Sequence, residues 1–309
     1  MSLNSTEQQG TLAEGADLDK PEGPEEAKGV RLWIVATPLG NPGDLSPRAA
    51  EVLEAADFVL AEDTRRSGIL FSGCGVEVKG FVSLHEHNEE EQLPVILHQL
   101  ETGRVAALVS DAGLPTLSDP GYRLIRACRK AGIRVSVVPG PSAVLTALAA
   151  SGLAPHPFVF LGFLPRKDGE QAKLLAKFQP SGCSLVFFER KDRLAQTLQN
   201  VYSVMGGREV CIAREMTKTH EEFIFGRLGE WQTDGKIFPP ENILGEITVV
   251  VGPAEELKRT EEDHLLALAA WMAADQIALK PKDLARKLAE SAEGWTAKQV
   301  YQLLQSKQD

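Results

Sequence analysis

From residue 32 to 138 the chain alternates short apolar runs with longer amphipathic stretches. The runs at 32–36, 57–62, 105–109 and 133–138 are rich in β-branched residues. Runs of that length, bounded by Gly and Pro, predict strands of a parallel sheet buried on both faces. Between them, Ser46-Pro47 supplies an N-cap and a first-turn proline for a helix over 48–56. Asn88 is expected to cap a helix opening with Glu89-Glu90-Glu91, whose charges suit the positive end of the helix dipole. Helices over 120–131 and 141–151 complete an α/β layer.

After Ala154-Pro-His-Pro157, which marks a domain boundary, strands are expected at 158–163, 184–188, 209–213, 222–225 and 246–251. Helices at 168–178 and 190–204 lie between them. Some connections are short, so this second α/β layer has more antiparallel character. No strand is expected beyond Gly252-Pro253. The tail reads as three helices, 261–275, 281–290 and 296–306, with helix-turn-helix-like spacing. The expected organisation is a leader (1–28), two α/β domains (29–153 and 154–254) and a helical tail (255–309).

Composition changes this picture little. With 43% hydrophobic and 25% charged residues the chain is that of a soluble globular protein. No apolar run is long enough for a membrane span, and no secretory signal pattern opens the chain. The four cysteines are scattered without a CxxC pair, which suits a reducing cytoplasm and argues against a structural zinc. Half of the net charge of −10 sits in 1–28, where seven acids face two bases, so that segment is expected to be a disordered leader. Residues 276–308 carry six Lys/Arg against three Asp/Glu. A local basic face can bind nucleic acid on an acidic protein, so net charge does not decide the partner.

Three of the predicted strands end in loops dense with Gly and Pro. These are Thr37-Pro-Leu-Gly-Asn-Pro-Gly43, Ser110-Asp-Ala-Gly-Leu-Pro-Thr-Leu-Ser-Asp-Pro-Gly121 and Pro139-Gly-Pro-Ser142. Ligands of parallel sheets sit at the carboxyl ends of the strands. Gly lets backbone approach a ligand and Pro holds its shape, so the three loops together predict a built site. Neither a Walker sequence nor GxGxxG is present, so the usual phosphate and dinucleotide modes are disfavoured.

Polar clusters surround these loops. Ala61-Glu-Asp-Thr-Arg-Arg66 reads either as a substrate-facing acid with phosphate-binding arginines or as a helix start capped by Asp63 or Thr64. In Ser83-Leu-His-Glu-His-Asn-Glu89, His85 and His87 would point the same way on a strand. That pair suits an exposed strand end or a substrate contact; further ligands for a metal are not identified by spacing. Lys218 and Glu221, in Arg214-Glu-Met-Thr-Lys-Thr-His-Glu-Glu222, suit either a substrate contact or a solvated turn.

These motifs together resemble the tetrapyrrole methylase superfamily. Val137-Val-Pro-Gly-Pro-Ser-Ala143 resembles its VPG-(x)-S loop, Gly113-Leu-Pro115 stands where others have Gly-Asp-Pro, and Thr37-Pro-Leu-Gly40 replaces the first glycine-rich turn. One branch is more similar: the small-subunit ribosomal RNA ribose methyltransferases. The resemblance rests on Ala36-Thr-Pro-Leu-Gly-Asn41, Ala61-Glu-Asp-Thr-Arg65, His85-Glu-His-Asn-Glu89, Ser110-Asp-Ala-Gly113, Ser118-Asp-Pro-Gly121 and Glu215-Met-Thr-Lys218. It covers about 30–309; Leu114 and Lys191-Asp192 depart from the pattern.

The resemblance implies two α/β domains of tetrapyrrole methylase type with a cofactor cleft between them, plus the helical tail. It implies S-adenosylmethionine held by Pro38, Leu39, Gly40, Ser110, Asp111, Gly113, Pro115, Pro139, Gly140 and Ser142. It further implies a homodimer acting, without a metal, on a decoding-centre cytidine (C1402) in 16S rRNA of the small ribosomal subunit. A ribose hydroxyl needs a general base within reach. Asp63, His85, His87 and Glu89 are the candidates, with Arg65 and Lys218 gripping phosphate.

Overall fold

The computed structural model describes residues 29–233, 236–240, 243–254, 262–274, 280–292 and 294–306. The leader expected at 1–28 lies outside these residues. The first half runs β1 (Val30–Val35), α1 (Pro47–Ala55), β2 (Phe58–Ala61), α2 (Thr64–Cys74), β3 (Phe81–Ser83), α3 (Glu89–Glu101), β4 (Ala106–Leu108), α4 (Tyr122–Lys130), β5 (Arg134–Val138) and α5 (Ala143–Ala150). Its five strands form one sheet in the order β3-β2-β4-β1-β5, parallel at every pairing.

Each face of that sheet has its own core. Trp33 and Val35 of β1 pack with Val52 and Leu53 of α1 and Phe71 of α2. Leu32 packs on the other side with Ile96 and Leu100 of α3 and Leu124 of α4. Burying each such side chain contributes about 1.5–3 kcal/mol, which is why the strands are continuously apolar. Ser46 caps α1 as expected, its hydroxyl accepting from Ala49 N at 3.1 Å.

The second half runs β6 (Phe158–Phe163), α6 (Asp168–Ala176), β7 (Ser184–Glu189), α7 (Leu194–Met205), β8 (Glu209–Arg214), β9 (Glu222–Arg227), β10 (Gln232–Thr233), β11 (Lys236–Ile237) and β12 (Ile247–Val251). A second five-stranded sheet has the order β6-β7-β12-β8-β9; only β6-β7 is parallel. Helices α6 and α7 cover one face. The other face is covered by Val144, Ala147 and Leu148 of α5, packed on Val186, Cys211 and Val250. Helix α5 thus follows the first sheet in sequence and closes the core of the second.

Helices α8 (Glu262–Ala274), α9 (Pro281–Ser291) and α10 (Ala297–Ser306) form the tail, with a core of their own around Leu265, Leu288, Trp295 and Val300.

Five expectations need correction. Strand β3 escaped notice because it has only three residues, none of them buried. The pair β10-β11 escaped for the same brevity. His85 and His87 do not lie on a strand: β3 ends at Ser83 and a turn follows. Asn88 makes no side-chain cap on α3. Its side chain instead builds that turn, donating to Ser83 O at 3.0 Å and accepting from His85 N at 2.8 Å. Helix α7 starts at Leu194 rather than 190, because β7 continues to Glu189 and a turn intervenes.

Candidate functional site

Adjacent strands β4, β1 and β5 deliver the three Gly/Pro loops to one edge of the first sheet. There the loops lock together. Thr37 and Gly113 exchange backbone hydrogen bonds at 2.9 and 3.0 Å. Thr37 Oγ1 donates to Ser110 O at 3.1 Å, and Ser110 Oγ donates to Gly113 O at 3.2 Å. Gly113 has φ +82, and a Cβ there would meet Leu39; a Cβ on Gly140 would lie 2.9 Å from that of Ala36. Both positions therefore require glycine.

The second half meets this edge through the turn at 215–218. Asn41 N donates to Thr217 Oγ1 at 3.2 Å, and the Lys218 stem occupies the space a Cβ on Gly40 would fill. Glu215 and Thr217 hold left-handed φ values of 48 and 65. Such strain in non-glycine residues persists where surrounding contacts over-determine the backbone.

A cavity of about 500 Å³ opens between the two sheets. From the first half Leu39, Asp111, Ala112, Ser118 and Asp119 line it; from the second come Phe163, Phe188, Met216, Ile247 and a polar rim at 189–192. Beside it lies a polar pocket of about 470 Å³ bounded by Glu62, Asp63, Thr64, Arg65, Ser83 and His85. Asp111 belongs to both. Its Oδ2 accepts from Arg66 Nη1 at 3.0 Å, while its Oδ1 is buried without a partner, as is His85 Nδ1. Buried polar atoms in that condition call for a partner from a ligand or an ordered water.

The carboxylates differ in how they are held. Asp63 caps α2, accepting from the backbone N–H of Arg65 at 2.9 Å and Arg66 at 3.2 Å. The N–H groups of Arg66 and Arg65 hold its pKa below the ordinary value. Glu89 is buried, and its Oε1 accepts from Gly121 N at 3.2 Å and Leu124 N at 3.4 Å, capping α4 from the start of α3. Glu62 is pushed up, by partial desolvation first and then by Asp111 and Glu86. Asp119 is pushed up to about 7 by burial, then by Glu62 and Asp111.

The anticipated residues separate accordingly. Asp63, Arg65 and His85 share the polar pocket, whereas His87 and Glu89 do not line it. Lys218 is held by Glu215 at 2.9 Å and Glu246 at 3.0 Å, so its charge is engaged within the protein. Glu221 closes the same turn by accepting from Thr217 N. Among the loop residues, Leu39 and Asp111 line the cavity, and Ser110 and Gly113 build the backbone behind it. Gly140 and Ser142 instead line a shallow depression against the outer face of α5. Sequence reasoning gave no role to Asp119, and in the segment 61–66, read as holding a substrate-facing acid, it named Asp63 rather than Glu62. The signal for Asp119 was an acid before Pro-Gly in a strand-end loop, inside a motif already singled out.

A profile of the family described as Tetrapyrrole (Corrin/Porphyrin) Methylases matches residues 31–232. Several similar proteins bear the name ribosomal RNA small subunit methyltransferase I. The one from Thermotoga maritima is 43% identical over 225 residues, spanning 73% of this chain and 99% of the relative. The one from Mycobacterium bovis is 41% identical over 285 residues, spanning 90% of this chain and 96% of the relative. Among solved structures, the methyltransferase CobJ aligns with a TM-score of 0.54 at 19% identity, over 75% of this chain and 97% of that one. Uroporphyrin-III-C-methyltransferase from Thermus thermophilus aligns with a TM-score of 0.50 at 22% identity, over 72% and 94%. At such identities these structures show the fold alone.

Proposed function

The chain belongs to the tetrapyrrole methylases and, within them, to the family of ribosomal RNA small subunit methyltransferase I, and we propose that it methylates a ribose 2′-oxygen of a decoding-centre cytidine in 16S rRNA. The observation that carries this reading is the pair of adjoining pockets, one between the sheets with apolar walls and a charged rim, the other polar and open, joined at Asp111. A donor and an acceptor can each take one and meet at the junction.

The residues present fit S-adenosylmethionine. The loop at 110–121 is closed to side chains at Gly113, and the acids Asp111, Glu189 and Glu246 line the cavity. The unpaired Asp111 Oδ1 is an acceptor waiting for a donor. When bound, the cofactor supplies an electrophilic methyl on a sulfonium. The protein's task is then alignment of hydroxyl, methyl and sulfur, and exclusion of water, by surfaces that do not move during transfer. Arg65 is exposed at the polar pocket and suits an RNA phosphate.

Structured RNA is read by shape and phosphate contacts, and the exposed Lys280, Lys282, Lys287 and Lys298 of the tail suit that task. We read the protein as a cytoplasmic homodimer. Exposed Val137 and Leu145 support a covered apolar surface, and no helix among the described residues is long and apolar enough to cross a membrane.

The test is transfer of tritium from S-adenosylmethionine to small subunits, naked 16S rRNA and a tetrapyrrole, assayed side by side. Label in ribose 2′-O-methylcytidine supports the reading. Label in the tetrapyrrole alone, or in none of the three, overturns it.

A further inference from the structure

Asp119 is placed from three sides. The carboxylate of Glu89 accepts from Gly121 N and Leu124 N, anchoring the end of its loop. Leu108 of β4 fills the space beside Gly121, whose φ is +115. On the far side, Ser118 lies against Gly162 of β6, where a Cβ would come within 3.1 Å of Ser118 Oγ. Thr116 and Ser118 hold left-handed φ values of 75 and 77, so this loop's path is imposed by its surroundings. The outcome is a carboxylate in the cavity wall next to Asp111, the residue both pockets share.

Among the neighbouring acids, Asp119 and Glu62 are left untied, and of the two only Asp119 lines the cavity, Glu62 being exposed at the polar pocket. Asp111 is tied to Arg66, Asp63 to two backbone N–H groups and Glu89 to α4. Asp119 makes no ion pair among the described residues, and the nearby Ser110 hydroxyl only partly offsets the upward push of burial and like charge. The charged groups facing it from the first half are Glu62 and Asp111, which in turn lie near Arg66 and, for Glu62, His85. From across the cavity come Glu189, Arg190, Lys191, Asp192 and Glu246.

We propose that Asp119 is the general base that takes the proton of the acceptor hydroxyl, with Glu89 as the positioning residue that holds its loop. This rests on the methyltransferase reading above. The hydroxyl oxygen forms its bond to the methyl carbon as its proton passes to the Asp119 carboxylate, and the electron pair of the breaking carbon–sulfur bond stays on sulfur. A carboxyl raised to about 7 by burial and like charge is matched to proton abstraction near neutral pH.

Three measurements decide the matter: single-turnover methylation of small subunits against pH, S-adenosylhomocysteine affinity by calorimetry, and melting temperature against pH. Wild-type turnover should rise along an acid limb near pH 7. Asp119→Asn should lower kcat by about 10²–10³ and remove that limb, while ligand affinity stays within about threefold. Asp119→Glu should recover part of the rate with a displaced limb.

The melting data report on the same group without turnover. Its folded pKa lies above the unfolded 3.8, so its contribution to stability is full below pH 3.8 and is lost as pH rises through about 7. Asp119→Asn should therefore melt higher than wild type at pH 8, with the difference shrinking toward pH 4. Retained turnover and acid limb in Asp119→Asn would overturn the proposal, above all if His85→Asn abolishes both. Loss of ligand affinity with normal kcat would overturn it too, by making Asp119 a binding group. If wild type labels no RNA at all, the methyltransferase reading fails instead, and the melting data still report whether Asp119 titrates as stated.

Discussion

Two acids at the sheet edge, Glu89 and Asp63, are held by backbone N–H groups, and this separates their structural use from chemistry. Glu89→Gln keeps an oxygen for Gly121 N and Leu124 N, so it should fold and turn over within about threefold of wild type. Glu89→Ala leaves buried donors unpaired and should lose about 1–2 kcal/mol in urea denaturation. An inactive Glu89→Gln with unchanged stability would mean that the carboxylate itself takes part in the reaction. Likewise Asp63→Asn preserves the α2 cap and should retain turnover, whereas Asp63→Ala should lose about 1 kcal/mol. The Asp63 cap was legible in sequence because its partners are two and three residues away. The Glu89 cap was not, because its partners lie 32 and 35 residues away on another helix.

Between elements, the interlock of the loop at 37–41 with the turn at 215–218 shapes one wall of the cavity. Gly40→Ala puts a methyl where the Lys218 stem lies, so it should displace Leu39 and weaken S-adenosylhomocysteine binding by about tenfold, roughly 1.4 kcal/mol. Gly73→Ala is the control: this residue is in α2 with open space around its missing Cβ. It should raise stability by about 0.5–1 kcal/mol and leave binding unchanged. Unaltered binding in Gly40→Ala would show that the interlock does not shape the site. That glycine is required at 40 is invisible in the local pattern, since the clash comes from a residue in the other half of the chain.

At the scale of the whole molecule, the tail buries its apolar residues on one another. Removing 255–309 should therefore leave the melting temperature of the two-sheet body close to that of the full chain. The same truncation should weaken RNA binding and flatten its dependence on salt, as expected when lysine–phosphate contacts are lost. Unchanged RNA affinity across salt would remove the tail from recognition. The sequence by itself determined the parallel first sheet, the antiparallel tendency of the second, the three helices of the tail and the loops that make the cleft. Those follow from local rules: a strand buried on both faces must be apolar throughout, and sharp backbone needs Gly and Pro. Only the tertiary structure decided that α5 closes the second core, that Lys218 is neutralised by Glu215 and Glu246, and that Asp111 joins two pockets. It alone separated Asp119 from the other acids, because a carboxylate's basicity is set by desolvation and by neighbouring charges, which here come from separate strands brought to one edge.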